Sequence, residues 1–134
     1  MSNTKATGVA YLDPEFSTCY ATEEIGYAAA AQGTVTQATS KSTGVTLNKS
    51  AGQITMNNAA LAATTNVAFT LTNSLISAND VLIVNVAGGA ATAGTYNVFT
   101  STLTAGSATI VLRNISAGSL SEAVVINYAI IHGA

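Results

Sequence analysis

Few residues of this sequence could perform nucleophilic chemistry, and they lie far apart along the chain. The sequence contains one cysteine, Cys19, and one histidine, His132. A cysteine–histidine nucleophile would have to use these two residues, and a lone pair of this kind carries little weight without supporting context. A free cysteine more often behaves as a small buried hydrophobe, and a histidine near a chain end is usually solvated. We expect no catalysis from this pair.

General acid–base chemistry would have to use carboxylates. Beyond the N-terminal segment these are Asp80 and Glu122. Each lies beside the start of an expected strand, in a turn where such residues commonly accept hydrogen bonds from backbone amides. Most enzymes set several ionisable groups close together, and glycoside hydrolysis needs a pair of carboxylates. We therefore predict that the protein is not an enzyme and has no catalytic residue.

Residues that hold metals or cofactors are equally sparse. One histidine and one cysteine cannot complete a zinc site within a subunit, although three subunits could each contribute His132 on a symmetry axis. The glycine-rich stretch "VAGGAATAG" lacks the lysine of a phosphate-binding P-loop and the spacing of a dinucleotide-binding fingerprint. We predict no metal and no cofactor.

The composition indicates a surface that is covered by other subunits. Only 7% of the 134 residues are charged and 49% are hydrophobic, whereas an ordinary soluble domain has about 25% charged residues. With little charge repulsion between copies, association is the simplest way to cover so much apolar surface. We expect the chain to bind copies of itself.

Nucleic acids and membranes are poor partners for this sequence. The net charge is −2, and four basic residues form no basic stripe. No apolar run approaches the roughly 20 residues that span a membrane, and the first residues lack the pattern of a signal peptide. A single cysteine allows no intrachain disulfide, which fits assembly in a reducing cytoplasm. We predict no nucleic-acid partner and no membrane.

The elements that must position these residues are strands. Alternating apolar and polar residues over 66–73 place Val67, Phe69 and Leu71 on one face, as in a half-buried antiparallel strand. The stretch "DVLIVNVA" (residues 80–87) is apolar on both faces, so it should be central in a sheet or lie at an interface. Similar segments follow one another at spacings of roughly 10 to 15 residues, separated by Gly, Ser, Asn and Asp.

This pattern predicts an all-β fold. We expect an antiparallel β-sandwich or jelly roll of about eight strands with an extended N-terminal arm. Residues 1–32 would form the arm, which serves for attachment, and residues 33–134 the β-sandwich or jelly-roll domain.

The arm differs in composition from the rest of the chain. Residues 1–30 contain one lysine and four carboxylates, a net charge of −3, whereas residues 31–134 carry +1. Solvated tails are poor in aromatic residues, so the large apolar side chains of the arm should pack on something. They either fold back on their own domain as an extra strand or bind another subunit or protein. The contact candidates are Tyr11, Leu12, Phe16, Tyr20, Ile25 and Tyr27.

From Gly33 to Ala134 the chain also resembles a module of structural proteins in tailed-bacteriophage virions. The stretches "GTVTQATSKSTGVTLNK", "GQIT" and "LRNISAGSLSEAVVINYAII" carry the resemblance in combination. It implies a β-sandwich or jelly-roll virion component, often trimeric, of the kind found in capsid decoration proteins and in fibre or spike proteins. It brings no catalytic motif.

A short arm followed by one compact domain favours a capsid decoration, or cement, protein over a fibre. The expected partners are then the major capsid protein and two further copies of the chain in a homotrimer. The expected location is the capsid exterior of the virion, after assembly in the cytoplasm of the host bacterium. The alternative is a receptor-binding knob of a tail fibre, spike or head fibre, whose loops at residues 88–94 and 116–121 would contact a host glycan or protein.

Overall fold

Eight β-strands form almost all of the regular secondary structure in the described part of the chain. The structure is a computed structural model, and it describes residues 16–133. Between residue 16 and the first strand, the one regular element is a short 3₁₀ helix. The elements in chain order are the 3₁₀ helix Ala29–Ala31, β1 Gln32–Thr36, β2 Val45–Thr46, β3 Ala51–Thr55, β4 Asn66–Thr72, β5 Val81–Gly88, β6 Tyr96–Thr104, β7 Ser107–Asn114 and β8 Val125–Ile131.

The strands form two four-stranded sheets that pack face to face. The first sheet has the order β1-β3-β8-β5 and the second the order β2-β4-β7-β6. The edge strands β5 and β6 lie next to each other on one side of the sandwich, where the Thr100 hydroxyl donates to the Leu82 carbonyl at 3.2 Å. The edge strands β1 and β2 close the opposite side. The predicted all-β sandwich of about eight strands is confirmed.

The strand directions correct the prediction in one respect, because both sheets are mixed. From β1 to β6 the chain alternates between the two sheets. Each return to a sheet therefore runs parallel to the strand before it, so β1 pairs with β3 in parallel and β2 pairs with β4 in parallel. A jelly roll is an antiparallel architecture. The parallel pairs of this structure therefore do not confirm the jelly-roll topology.

The later strands restore antiparallel pairing. β6 and β7 form a hairpin whose turn contains Gly106 at a φ of +82°, a conformation that glycine adopts without steric cost. β8 then inserts between β3 and β5 and is antiparallel to both. As a result, the two most completely paired strands, β7 and β8, are central in their sheets.

The core lies between the sheets and consists of the inward residues of each alternating strand. The predicted inward set of β4 is confirmed for Phe69 and Leu71, which are buried, and Val67 packs against them. On β7, Ile110 and Leu112 are completely buried, as the alternation predicts. Two facing layers of this kind are the usual means by which a sandwich removes apolar area from water.

Of the two positions expected for residues 80–87, central in a sheet or at an interface, the central one is wrong. The stretch from Val81 is apolar on both faces, yet β5 is the edge strand of its sheet and not a central one. Its inward residue Leu82 is buried, whereas Val81 and Ile83 are 58% and 49% exposed. The described residues 16–133 do not bury this second face, and the alternative interpretation, an interface, stays open.

The two ends of the sandwich are distinct. One end, the leader end, contains the starts of β1, β3 and β5, where the N-terminal segment joins the domain. The other end, the loop end, contains the loops at residues 37–44, 57–65, 89–95 and 115–124. Buried Asn114 fastens the loop end, since its side-chain amide donates to the carbonyls of Leu61, Ala62 and Gly118.

Candidate functional site

The leader, defined here as residues 16–28, is the most solvent-exposed part of the described chain. Phe16, Tyr20 and Ile25 are 65%, 89% and 89% exposed. None of residues 16–28 is in a strand, so the expectation that the arm folds back as an extra strand is wrong for these residues. Large apolar side chains in water are the usual mark of a surface that binds another molecule.

The base of the leader is attached to its own domain. The hydroxyl of Tyr27 donates to the carbonyl of Ile130 on β8, and the Gln32 side-chain amide donates to the Tyr27 carbonyl at 2.8 Å. Tyr27 is 38% exposed, much less than the residues before it. Lys49 adds a further bond, from its ammonium to the Ala30 carbonyl at 2.9 Å. Tyr27 therefore fixes the point and direction at which the leader leaves the sandwich.

A small apolar groove marks this junction. It is lined by Ile25, Gly26 and Tyr27 from the leader and by the last residues of β8 with His132. Ile25 is still 89% exposed, so the groove does not bury its side chain. The free part of the leader thus begins at Ile25 and runs back toward Phe16.

Four of the six predicted contact residues lie in the described chain, and the structure divides them into two kinds. Phe16, Tyr20 and Ile25 are exposed, and Tyr27 anchors the leader to β8. Tyr11 and Leu12 lie outside the described residues.

The acidic residues of the leader sit beside these apolar side chains. Glu23 and Glu24 are both exposed, and they lie three and four residues after Tyr20, next to Ile25. No ion pair involves them among residues 16–133, where the one pair is between His132 and Asp80. A surface that presents aromatic groups and negative charge together is suited to a partner with apolar pockets and a basic rim.

The lone cysteine and histidine have different surroundings. Cys19 is free and exposed in the leader, so the expectation that it is buried is wrong. His132 is 55% exposed, as expected near a chain end, and its Nδ1 lies 3.1 Å from Asp80 Oδ2. The histidine is therefore paired with a carboxylate at the leader end.

Asp80 acts as a turn-forming residue, as the sequence predicted. Its carboxylate accepts hydrogen bonds from the Ser77 amide at 2.8 Å, from the Ser77 hydroxyl at 2.8 Å and from the Gly133 amide at 3.0 Å. The Ser77 amide bond, with these others and the nearby His132, lowers the pKa of Asp80 to about 2. A carboxylate held ionised in this way stabilises a turn and is unsuited to general acid chemistry.

Glu122 forms part of a polar cluster at the loop end that sequence reasoning missed. One oxygen of Glu122 accepts from the Ala91 amide at 2.7 Å. Lys41 is 3% exposed, and its ammonium donates to the backbone carbonyls of Asn57 and Glu122. Burial lowers the pKa of Lys41, while the Glu122 carboxylate acts in the opposite direction. Burial, reinforced by Glu122, raises the pKa of Tyr96 to about 12.

This cluster fastens loops together. The side chain of Gln37, 3% exposed, donates to the carbonyls of Lys41 and Thr43 and accepts from the Asn57 amide. A buried lysine in the sequence "TSKSTG" has no local signature, because its surroundings come from loops that are distant in sequence. Only the tertiary structure could identify it.

No group of three or more histidine, cysteine or carboxylate side chains in residues 16–133 is arranged to hold a metal ion. No helix in the described part of the chain has the length and apolarity needed to cross a bilayer. Comparisons of the chain with protein-family models, with curated proteins and with solved structures find no match, so none of them links it to a phage module. The candidate functional surface is therefore identified from geometry alone.

Proposed function

We propose that this protein is a structural component of a tailed-phage virion, a decoration or cement protein that binds the outside of the capsid shell as a trimer. The leader attaches to the major capsid protein, and the sandwich remains on the exterior. The mechanism is mechanical, because a protein that bridges neighbouring capsid subunits binds a surface that exists only in the assembled shell. Such binding shifts the equilibrium toward the intact shell.

The observation that carries this proposal is the exposed leader. Its apolar side chains at Phe16, Tyr20 and Ile25 are 65–89% exposed, whereas the inward apolar residues of the domain beside them are buried. A surface of this composition is costly in water and becomes favourable when a partner covers it. In a trimer, three leaders would bind together, so that modest individual contacts give strong attachment.

The anchoring of Tyr27 supports attachment at a defined angle. Because Tyr27 and Lys49 fix the base of the leader at one end of the sandwich, the loop end points away from any surface that the leader binds. The anchoring also lowers the conformational entropy that the leader loses on binding, because the segment from Tyr27 to Gln32 is held in place beforehand.

The direct test is co-sedimentation with expanded capsid shells that lack the protein. The full chain is expected to sediment with the shells, and a variant without residues 1–30 is expected to stay in the supernatant with its β-sheet circular dichroism intact. Phe16→Ala and Tyr20→Ala should each weaken binding at least about tenfold, as for anchor residues of an interface. Thr22→Ala, a small change in the same exposed segment, is the matched control and should bind like the parent. A full chain that is absent from purified particles and does not bind shells would overturn the proposal.

A receptor-binding knob is the second candidate, and the position of two loops favours it. Residues 91–94 and 117–119 are exposed at the loop end, opposite the leader. Bonds of Asn114 to Gly118 and of Glu122 to Ala91 hold both loops in place. A labelled domain that lacks residues 1–30 should bind host cells if this candidate is right, and should not bind them if the protein only decorates the shell.

A further inference from the structure

The apolar groove at the base of the leader, called the leader groove below, is large enough to hold part of another molecule. Three leader residues line it together with three residues at and just after the end of β8: Ile25, Gly26, Tyr27, Ile130, Ile131 and His132. Its volume is about 420 Å³, within the range of roughly 300–1,000 Å³ that is usual for ligand pockets. The two walls are distant in sequence, so only the folded chain brings them together.

Both walls of the leader groove are fastened to the sandwich. On the leader side, the Tyr27 hydroxyl donates to the Ile130 carbonyl. On the other side, the Asp80 carboxylate accepts from the Gly133 amide at 3.0 Å and lies 3.1 Å from Nδ1 of His132. A groove whose walls are held in this way loses less conformational entropy when it is filled than one that must first be assembled.

The apolar side chains of the leader groove stay in contact with water. Ile25 is 89% and Ile131 is 55% exposed. The register places Ile131 opposite Val81 of β5, which is 58% exposed, so the apolar surface continues from the groove onto the sandwich. A Cβ built on Gly26 would meet no atom of the described chain within 4 Å. Covering these side chains with apolar groups of another molecule would be favourable.

The charge beside the leader groove selects among partners. The charged side chains between residues 16 and 31 are Glu23 and Glu24, both exposed and directly before Ile25. Neither takes part in an ion pair within residues 16–133. On the opposite wall, Asp80 is already bonded to backbone amides and to His132. The unpaired charge at the rim is therefore negative, and it favours a basic group on the partner.

We propose that the leader groove receives an apolar side chain of a partner protein, and that a lysine or arginine next to this side chain pairs with Glu23 and Glu24. The partner is then bound by the leader and by the sandwich together, and Ile131 is a contact residue although it lies outside the leader. The inference rests on the proposed function for the identity of the partner, which would be the capsid shell. The recognised chemistry, an apolar side chain beside a basic one, is independent of it.

A peptide titration of the full chain tests the recognised chemistry without any capsid. The probe is acetyl-Lys-Lys-Phe-Leu-Lys-Lys-amide, followed by nuclear magnetic resonance of the backbone amides. Signals of Gly26, Ile131 and His132 should shift as the probe fills the leader groove. One comparison peptide has glutamate in place of each lysine, and a second has serine in place of phenylalanine and leucine. Each should bind at least about tenfold more weakly than the probe.

The titration can overturn the inference in two ways. Failure of the lysine-containing probe to shift the groove signals would mean that the leader groove is not a site of this kind. Equal binding of either comparison peptide would mean that charge or apolar contact, respectively, is not recognised. Ile131→Ser should weaken binding of the probe, whereas Ile115→Ser should not, because Ile115 is 48% exposed at the loop end and lies outside the groove.

Co-sedimentation with capsid shells then separates the inference from the proposed function. Ile131→Ser and the double variant Glu23→Gln/Glu24→Gln should each weaken shell binding, and Glu23→Asp/Glu24→Asp, which keeps both charges, should bind like the parent. If the first two also bind like the parent, the inference is wrong and the proposed function stands. If the parent does not bind shells and the probe peptide still fills the groove, the proposed function is wrong and the inference stands.

A second copy of the chain is the alternative occupant of the leader groove. Sedimentation equilibrium of the parent and of Ile131→Ser, each without shells, distinguishes it from a different partner protein. The inference predicts the same mass in solution for both proteins. A lower mass for Ile131→Ser, with its thermal unfolding transition kept, would show that copies of the chain fill the groove of one another and would overturn the inference.

Discussion

The interior of the sandwich and the leader belong to one chain and differ in how far their apolar residues are exposed to water. In the sandwich, inward residues such as Leu112 and Ile126 are completely buried, and buried polar groups such as the Asn114 side chain make several hydrogen bonds. In the leader, Tyr20 and Ile25 are 89% exposed. The difference separates the residues that stabilise the fold from those that are available to a partner.

This separation implies that stability and binding can be changed independently. A substitution in the sandwich interior should lower the free energy of unfolding, and attachment would fail only because the protein is unfolded. A substitution in the leader should leave that free energy unchanged and alter binding alone. Tyrosines occur in both regions, at Tyr20 and Tyr128, so the comparison can be made with one kind of substitution.

The largest effect is expected for Leu112→Ala. Leu112 is 0% exposed at the centre of β7, and truncation of a buried leucine removes apolar contacts and leaves a cavity. The free energy of unfolding should fall by about 2–5 kcal/mol, measured by urea denaturation under conditions where the chain is a single subunit. A loss below about 1 kcal/mol would mean that this part of the sandwich is not a packed interior.

Tyr128→Phe should have an intermediate effect. The buried Tyr128 hydroxyl donates to the carbonyls of Lys49 at 3.0 Å and Leu47 at 3.2 Å, and burial raises its pKa to about 12. Removal of the hydroxyl leaves these carbonyls without that donor and should cost about 1–3 kcal/mol of unfolding free energy. Tyr20→Phe is the matched control, and it should cost nothing measurable because Tyr20 is 89% exposed. Equal losses in the two variants would contradict the separation of regions.

The strands could be predicted from the sequence because the alternation of apolar and polar residues is a property of each short segment. Alternation over residues 66–73 has a period that only a half-buried strand satisfies, so the inward residues Phe69 and Leu71 could be assigned before the fold was known. The order of the strands in each sheet could not be predicted, because it depends on the sheet to which each crossover connection returns. The edge position of β5 was missed for the same reason, since a strand apolar on both faces is equally consistent with a central position and with an interface.

The candidate surface was predictable in part. Aromatic residues concentrated in an acidic segment indicated that the leader binds something, and the exposure of Phe16 and Tyr20 agrees with that interpretation. The role of Tyr27 as an anchor was not predictable, because its partner, the Ile130 carbonyl, is 103 residues away. The buried position of Lys41 was hidden for a similar reason, as its partners come from two other loops.

Asp80→Asn should remove a pH dependence that belongs to the sandwich and not to the leader. The pKa of Asp80 in the folded protein is about 2, below its ordinary value of 3.8. Its contribution to stability is therefore present above pH 3.8 and is lost as the pH falls toward 2. The difference in unfolding free energy between the parent and Asp80→Asn should shrink over this range, as followed by thermal melts at each pH.

His132 is the titratable group that faces Asp80, so His132→Gln is the control for this experiment. The largest cause of the low pKa is the Ser77 amide and not the histidine. The control should therefore keep most of the acid-dependent loss. If His132→Gln abolishes that loss and Asp80→Asn does not, the assignment of the pH dependence to the Ser77–Asp80 turn is wrong.

The smallest effect on stability, and the one that most sharpens the comparison, is expected for Phe16→Ala and Tyr20→Ala. Both side chains are mostly in water, at 65% and 89% exposure, so truncation removes few contacts within the chain. The free energy of unfolding should change by less than about 0.5 kcal/mol, the range usual for exposed positions, while capsid binding falls. A loss of more than about 1 kcal/mol in either variant would show that these residues pack on the sandwich in solution. The leader would then be part of the fold, and its apolar side chains would no longer be evidence for a surface that binds a partner.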